Sequence, residues 1–298
     1  MNADLAARVV ALPCWRSRVT LEPLSGGLSN TSFIVDDSGR RCVARCGDDI
    51  PAHGVSRERE RAASVAAHAA GLSPELIYAE PGIVVLRYVA GRTFAEAELA
   101  SNIERIVALL RACHGDVARH LHVPMGTFWV FDVIRDYVRA LDDGADPSDS
   151  ELARYASLAG ALEDLQVPLP IVFGHHDLLP GNFIDDGRRL WLIDWEYGGY
   201  GTAMFDLANV ASNGDFARED DRRLLETYFE GPVHDDVVRA FDAMKIASAL
   251  REAIWARVSA VRLALPGVDY EGHAERYFAR TASALDQFEA RYGRVLRR

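Results

Sequence analysis

The segment from Phe173 to Gly199, FGHHDLLPGNFIDDGRRLWLIDWEYGG, constrains this chain more than any other part of it. It contains two short apolar runs, and polar side chains stand just before the first run and just after the second. Acidic and amide groups cost free energy when they are buried without partners. Their position at the ends of two apolar strands therefore indicates a shared ligand. The polar residues are His175, Asp177, Asn182, Asp194 and Glu196.

The two apolar runs predict a β-hairpin with the turn DDGRR. The first strand begins after Asn182, and the second strand, LWLI, ends at Asp194. The hairpin would therefore bring these two side chains together. An amide oxygen and a carboxylate oxygen are hard ligands, and Mg²⁺ binds such ligands when phosphate oxygens and water complete its octahedron.

Asp177 lies upstream on the loop, and the sequence offers it no obvious Arg or Lys partner. It is suited to orient and deprotonate an attacking hydroxyl. Kinases divide phosphoryl transfer in this way between a loop Asp, an Asn five positions later and an Asp at the end of the following strand. The segment therefore predicts Mg-ATP as its ligand. His175 is expected to anchor the loop by hydrogen bonds.

The rest of the sequence predicts two lobes. Three β-type runs, SFIVDD, RCVARC and IVVLRYV, are separated by turn residues and by an Ala-rich helix that opens at Ser56 and closes at Gly71. After residue 88 the apolar spacing is helical, and Pro232 and Pro266 interrupt the last helices. We expect an α+β chain with a small lobe, residues 1–88, and a larger, mainly helical lobe, residues 89–298.

These motifs resemble the choline/ethanolamine kinase branch of the aminoglycoside phosphotransferase and protein-kinase-like superfamily. The resemblance implies a bilobed protein-kinase-like fold with a small β-sheet-plus-helix N-lobe. LSGGLSNTSFIV resembles the nucleotide loop of that branch, and CVARCG resembles its third strand. The helix glutamate of the family, here Glu60, pairs with the basic residue of that strand, here Arg45. The resemblance assigns nucleotide binding to Gly26, Gly27, Ser29, Asn30, Arg45 and Glu60.

HHDLLPGN resembles the catalytic loop of the family, and IDWEYGG resembles its metal-binding strand end. By this resemblance Asp177 is the catalytic base, Asn182 and Asp194 bind Mg²⁺, and Glu196 supports the metal through water. MFDLAN resembles the next helix, with Asp206 buried against the catalytic loop. Next to the presumed base the family usually has Asn where this chain has a second histidine, residue 176, whose role the sequence leaves open.

LREAIWARVSAVRLALPGVDY resembles the choline-facing helix of the family and the turn after it. Eukaryotic choline kinases carry two tryptophans and a Gln where this chain has Glu252, Trp255 and Ser259. Tyr197 and Tyr270 match aromatic positions near the same pocket. Aromatic faces and negative charge bind ammonium groups, so the expected acceptor is a small cationic alcohol. Because one wall is anionic here, choline, ethanolamine and related amino alcohols all remain candidates.

Other interpretations stay open. SGGLSN is compatible with a plain hairpin turn, Arg45 with an exposed strand charge, Glu60 with a solvated helix face and Trp255 with a core position. A phosphotransferase for an aminoglycoside, thiamine or a sugar would share the ATP and metal residues. A non-catalytic nucleotide-binding scaffold is a more distant alternative. The sequence does not choose between ATP and GTP, and a homodimer is compatible with it.

The net charge and the cysteine spacing limit which ligands and partners are expected. The net charge of -11 argues against nucleic acid or an anionic membrane surface, because either partner needs a basic face. The chain shows no signal-peptide pattern and no run of about 18 apolar residues, so we expect a cytoplasmic protein. The cysteines lack zinc-ligand spacing and are expected to be buried free thiols. They are Cys14, Cys42, Cys46 and Cys113.

Overall fold

Five strands in the first third of the chain pair in a single antiparallel sheet. The structure is a computed structural model and describes residues 3–24, 29–142 and 151–296. The strands are β1 (Thr20–Leu24), β2 (Thr31–Asp37), β3 (Arg40–Cys46), β4 (Leu76–Glu80) and β5 (Ile83–Arg87). They lie in the order β1-β2-β3-β5-β4, and each neighbouring pair is antiparallel.

The two faces of this sheet contact different parts of the molecule, because successive side chains of a strand point to opposite faces. One face packs against helix α1 (Ala3–Val10). The other face turns Ile34, Val43 and Arg45 toward the cleft between the lobes. The strand register therefore places the guanidinium of Arg45 beside apolar side chains at the cleft. The buried residues of the first face are Phe33, Val35, Cys42, Ala44, Ile83 and Val85.

Helix α2 (Arg57–Ala69) lies between β3 and β4, as the Ala-rich pattern predicts. Ser56 stands at its N-cap, although its side chain makes no capping hydrogen bond within the described residues. Beyond the helix, Gly71 has φ +80°, a conformation that glycine adopts without strain. The sequence pattern missed β1 and β4. Both are edge strands, and the side chains of β1 are mostly exposed, so neither shows clear alternation.

The second lobe is mainly helical, as predicted. Its central element is a 28-residue helix, Asp235–Arg262, in which most residues from Ala240 to Ser259 are buried. The two helix breaks expected near Pro232 and Pro266 are confirmed. The helices are α3 (Glu96–Ser101), α4 (Ile103–Asp116), α5 (Val130–Leu141), α6 (Glu151–Glu163), α7 (Ala203–Asn213), α8 (Arg218–Phe229), α9 (Asp235–Arg262) and α10 (Tyr270–Tyr292).

The described residues of the second lobe also contain five short strands, one before α3 and four between α6 and α7. They are β6 (Arg92–Thr93), β7 (Ile171–Gly174), β8 (Phe183–Asp185), β9 (Leu190–Leu192) and β10 (Gly199–Thr202). β6, β8 and β9 form one small sheet, and β7 pairs with β10. The predicted hairpin is confirmed as β8 and β9, and its turn contains Gly187 at φ +84°.

The predicted α+β class, with a sheet-plus-helix lobe and a larger helical lobe, is confirmed. The sheet ends at Arg87, and the domain boundary at residue 88 stays a prediction. Of the helices in the described ranges, none combines the length and apolar character needed to cross a membrane. All four cysteines are free thiols, of which Cys42, Cys46 and Cys113 are buried and Cys14 is partly exposed.

Candidate active site

The loop after β7 is held by a buried carboxylate on α7. Asp206 accepts hydrogen bonds from the backbone N–H groups of His175 (2.9 Å) and His176 (2.8 Å), and His114 Nε2 lies 2.9 Å from it. Burial alone would raise the pKa of Asp206, but the histidines and the backbone donors hold it below its ordinary value. The position expected for Asp206, against the catalytic loop, is confirmed.

The two histidines of the loop are buried and are held by hydrogen bonds and ring packing. His175 Nε2 lies 2.9 Å from the carbonyl oxygen of Ile193, and its Nδ1 accepts from the backbone N–H of Asp177 at 3.2 Å. Burial lowers the pKa of His175 to about 4, so the ring is neutral. The expected role of His175 as a loop anchor is confirmed. The His176 ring stacks on Phe128 with centroids 4.3 Å apart, and burial lowers its pKa too.

Asp177 is buried at the end of this loop. The expectation that it lacks a basic partner is wrong, because Arg251 Nη1 of α9 lies 3.5 Å from its Oδ1. Burial raises the pKa of Asp177 well above its ordinary value, and the charge of Arg251 only partly offsets this. A sequence pattern could not show this contact, since the two residues lie on different elements, 74 positions apart by their numbers in the sequence.

Asn182 ends a short 3₁₀ helix, Pro180–Asn182, and its amide nitrogen is already used. Nδ2 donates to the carbonyl oxygen of Asp177 at 2.8 Å and to its Oδ2 at 3.2 Å. An amide that donates through its nitrogen presents its oxygen to a different ligand. Asn182 therefore offers a neutral oxygen donor next to the loop carboxylate.

Asp194 follows the second strand of the hairpin and has φ +71°, which is uncommon for a residue with a side chain. Arg45 Nη1 lies 2.9 Å from its Oδ1, but this oxygen has no partner with hydrogen-bond geometry in the described part of the chain. Burial raises the pKa of Asp194 to about 7, against the opposing charge of Arg45. This carboxylate thus has an oxygen available to a cation.

Two arginines connect the lobes through a cluster of charges. Arg45 Nη2 lies 2.8 Å from Glu60 and 3.2 Å from Glu196, so the pair expected between β3 and α2 is present. Arg57 Nη1 lies 2.6 Å from Glu60 and 3.0 Å from Glu196. The sequence analysis missed Arg57, although its position three residues before Glu60 on the same helix face was a signal for it.

Glu196 is the common acceptor of this cluster. Ser29 Oγ donates to it at 3.2 Å and Asn30 Nδ2 at 3.3 Å, while Arg57 Nη2 donates to Asn30 Oδ1 at 2.7 Å. Burial alone would raise the pKa of Glu196, but Arg45 and Arg57 hold it below its ordinary value. These contacts favour a role in fixing the nucleotide loop, and the metal role of Glu196 stays a prediction.

The nucleotide loop itself is described only in part. Ser29 and Asn30 contact the charge cluster, whereas Gly26 and Gly27 lie outside the described residues. Residues from each of the predicted catalytic, metal and nucleotide sets share one cavity of about 700 Å³. Its lining includes Ser29, Arg45, Asp177, Asn182, Asp194 and Glu196.

Three of the predicted acceptor residues line the same cavity: Tyr197, Glu252 and Trp255. The indole Nε1 of Trp255 donates to Tyr197 Oη at 2.9 Å. Two residues are placed differently from the prediction. Tyr270 packs against Trp255, with centroids 6.2 Å apart, and Ser259 Oγ lies 2.9 Å from His53 Nε2. Neither is among the described residues that line the cavity.

Glu252 lines the cavity as an anionic side chain, as expected, but its charge is paired within the protein. Its carboxylate accepts from Arg251 Nη1 at 2.8 Å, and His273 Nε2 lies 2.9 Å from it. Burial alone would raise the pKa of Glu252, but the bond to His273 and the charge of Arg251 hold it below its ordinary value. The sequence analysis missed Arg251, although it stands directly before Glu252 in LREAIW.

Residues 20–247, more than half of the chain, match the phosphotransferase enzyme family (APH). The chain belongs to this family. The match begins at β1 and ends within α9, so it includes Ser29 and Asn30, the loop after β7 and the hairpin of β8 and β9. It therefore covers both lobes of the candidate site.

Individual relatives within this family point to one branch. Protein LicA of Haemophilus influenzae is 27% identical over 214 residues, which are 68% of this chain and 61% of LicA. This chain thus matches less than two thirds of that relative's length. A probable ethanolamine kinase of Arabidopsis thaliana is 26% identical over 282 residues, 82% of this chain and 74% of the relative. The predicted resemblance to choline and ethanolamine kinases is confirmed.

A solved structure supports the same placement. The crystal structure of a choline/ethanolamine kinase family protein from Mesorhizobium loti superposes with a TM-score of 0.75 at 28% identity. The superposition covers 97% of this chain and 97% of that protein. The similarity therefore extends over both lobes, and the predicted kinase-like fold is confirmed.

Proposed function

We propose that this protein is an ATP-dependent kinase that transfers the γ-phosphoryl group to the hydroxyl of choline, ethanolamine or a related amino alcohol. One observation carries the proposal: Asp177, Asn182 and Asp194 line the same cavity as Arg45. A loop carboxylate, two oxygen donors and a phosphate-binding cation are the parts that phosphoryl transfer needs.

The cavity has a region suited to the adenine ring. Apolar side chains from the small lobe (Ile34, Val43 and Leu86) and from the hairpin segment (Ile184 and Ile193) line it. Ligand pockets of this kind combine an apolar lining with a few convergent polar groups. The polar end, with Arg45, supports the assignment of that end to the nucleotide phosphates.

The oxygen donors fit a magnesium ion. Asn182 has its amide nitrogen engaged and its oxygen available, and Asp194 has an oxygen without a hydrogen-bond partner among the described residues. Both are hard ligands of the kind Mg²⁺ takes together with phosphate oxygens. When bound, Mg²⁺ neutralises charge on the transferred phosphoryl group.

Asp177 acts on the acceptor hydroxyl in this proposal. Its raised pKa makes the carboxylate a stronger base than an exposed aspartate, so it holds the hydroxyl proton better. The hydrogen bonds that Asn182 donates fix the orientation of the carboxylate, and Asp206 fixes the loop that carries it. Positioning and charge neutralisation are the main contributions of a kinase to catalysis.

A coupled ADP-release assay tests the proposal. The acceptors are choline, ethanolamine, thiamine, kanamycin and glucose, each with ATP or GTP and with or without Mg²⁺. We expect Mg²⁺-dependent turnover with ATP and an amino alcohol. Turnover confined to thiamine, kanamycin or glucose would assign the protein to a different acceptor class, and no turnover with any acceptor would contradict the kinase proposal.

Two variants assign the roles. Asp177→Asn should lower kcat roughly 10²- to 10⁴-fold and leave the KM for ATP nearly unchanged, because the group acts on the acceptor. Asp194→Ala should abolish Mg²⁺-dependent turnover and keep the fold. Asp286→Asn, an exposed carboxylate on α10, is the matched control and should behave like the wild type.

A further inference from the structure

A buried guanidinium occupies the aromatic part of the acceptor pocket. Arg251 is only 1% exposed, and its Cζ lies 4.3 Å from the ring centroid of Tyr197 and 6.0 Å from that of Phe128. A quaternary ammonium would be bound through the same ring faces. Since the protein's own cation already covers them, the pocket is poorly matched to a second cation at this position.

Only one side of this guanidinium is paired. Nη1 donates a hydrogen bond to Glu252 and lies near Asp177. Nε and Nη2 have no hydrogen-bond partner within the described residues. Nε and Nη2 lie on one edge of the planar group, the edge that binds both oxygens of a carboxylate. Buried donors are normally paired, so this edge calls for an acceptor.

Two further side chains beside Arg251 also lack partners. Tyr137 Oη and His53 Nδ1 are buried without a partner in hydrogen-bond geometry in the described part of the chain, and their rings are 5.2 Å apart. Tyr197 connects them to Arg251, because it lines one cavity with His53 and Tyr137 and its ring centroid lies 4.3 Å from the guanidinium carbon of Arg251. Tyr197 is also close enough to Tyr137 to affect its pKa.

All of these unpaired atoms can act as donors. Burial, with a smaller effect of Arg251, lowers the pKa of His53 to about 4, so its ring is neutral and carries one proton. When Ser259 Oγ donates to His53 Nε2, that proton lies on Nδ1. The guanidinium edge, the phenol and the imidazole N–H then form a set of donors, and the ligand that complements such a set is an oxyanion.

His53 and Tyr137 line a second cavity of about 390 Å³ together with Tyr197, whereas Arg251 lines the larger cavity. Tyr197 and Glu196 line both this cavity and the larger one, so the two spaces meet at this point. Both acids in the lining have arginine partners: Glu196 pairs with Arg45 and Arg57, and Asp136 pairs with Arg139. A further lining residue, Arg59, adds positive charge.

We propose that Arg251, Tyr137 and His53 form a subsite for a carboxylate carried by the acceptor, so that the substrate is a hydroxyl-bearing amino acid. This proposal rests on the proposed kinase function and specifies its acceptor. Asp177, on the Nη1 side of the same guanidinium, is then close to the hydroxyl of that substrate. A free trimethylammonium group gains nothing from these donors and must compete with the guanidinium for the Tyr197 face.

Matched acceptor pairs test the subsite. L-Serine is ethanolamine with an added carboxylate, and L-homoserine is 3-amino-1-propanol with an added carboxylate. In the ADP-release assay we expect the carboxylated member of at least one pair to have a kcat/KM about tenfold higher or more, as expected for a hydrogen-bonded charge. Choline should be the poorest of the amino alcohols.

Tyr137→Phe removes one donor that has no partner in hydrogen-bond geometry among the described residues, so the variant should fold normally. It should reduce the carboxylate advantage about fivefold to tenfold and leave the uncharged partner acceptor within twofold of wild type. Tyr78→Phe, whose hydroxyl bonds Glu80 in the small lobe, is the control and should change neither value. Arg251→Met should remove the advantage and improve choline.

The outcomes separate this inference from the proposed function. Faster turnover of ethanolamine than of L-serine, and of 3-amino-1-propanol than of L-homoserine, would overturn the subsite and leave the kinase intact. An undiminished carboxylate advantage in Tyr137→Phe would also overturn it. Failure of every acceptor, including those of the first panel, would overturn the kinase proposal itself.

Discussion

The buried carboxylate of Asp206 should be essential for both stability and turnover. Asp206 is 0% exposed, and its two oxygens serve three donors: two backbone N–H groups of the catalytic loop and the ring of His114. Asp206→Asn keeps the shape of the side chain but replaces one oxygen by an NH₂ group. That group would face a backbone N–H, so at least one hydrogen bond is lost in every orientation of the amide.

The size of the effect follows from these contacts. A hydrogen bond to a charged group contributes about 1.5–3 kcal/mol, and removing one partner of a buried charge pair costs about 3–5 kcal/mol. We therefore expect Asp206→Asn to lower the free energy of unfolding by about 3 kcal/mol. Urea unfolding followed by far-UV circular dichroism at pH 8 measures this value.

Turnover should fall as well, because the same hydrogen bonds position the loop that carries Asp177. Misplacement of a reacting group by about 1 Å can cost about 10²-fold in rate. We expect kcat to fall by about this factor and the KM for ATP to change less than threefold, since Arg45 and the cleft lining do not contact Asp206. Steady-state kinetics at a temperature where the variant is folded give both constants.

A second buried carboxylate provides the control. Asp221 on α8 pairs with Lys245 at 2.8 Å and takes no part in the catalytic loop. Asp221→Asn should lower stability and leave kcat near the wild-type value. The reasoning would be refuted by a stability loss below about 1 kcal/mol in Asp206→Asn, or by equal losses of kcat in both variants.

Three further changes test other contacts. Glu60→Gln should raise the KM for ATP about fivefold, because Arg45 loses a charged partner, with no change in the acceptor KM. His175 should oppose folding in acid: the unfolded ring protonates near pH 6.5 and the folded one near pH 4, so stability falls over that range. Between pH 7.5 and pH 4, the free energy of unfolding of His175→Gln should fall by about 3 kcal/mol less than that of the wild type, as measured by urea unfolding. Trp255→Phe loses the hydrogen bond to Tyr197, so its free energy of unfolding should be about 1 kcal/mol lower than that of the wild type.

The segment from Phe173 to Gly199 could be interpreted from sequence because its determinants are local. A two-strand hairpin has a short turn and a fixed side-chain alternation, so spacing alone places Asn182 and Asp194 at the same cavity. The burial of Asp206 followed from its resemblance to a known helix. Local patterning likewise fixed the helix breaks near Pro232 and Pro266.

Contacts between distant parts of the chain could not be predicted in this way. Arg57 and Glu196 are 139 residues apart, and the sequence near either residue does not indicate a contact with the other. Arg251 looked like one charged residue on a long helix, yet it is buried and pairs with both Asp177 and Glu252. Ion pairing depends on three-dimensional placement, whereas periodicity reports only which face of an element is apolar.

The charge cluster at the lobe boundary determines how a nucleotide can enter. Arg45 and Arg57 already have carboxylate partners on both lobes, and buried pairs are screened little by salt. An arriving phosphate therefore meets guanidinium groups that must give up one anion to accept another. The free energy gained in such an exchange is only the difference between two similar electrostatic attractions. Under the proposed function, we therefore expect affinity for ATP to depend mainly on the burial of the base and on the metal, and to vary little with ionic strength.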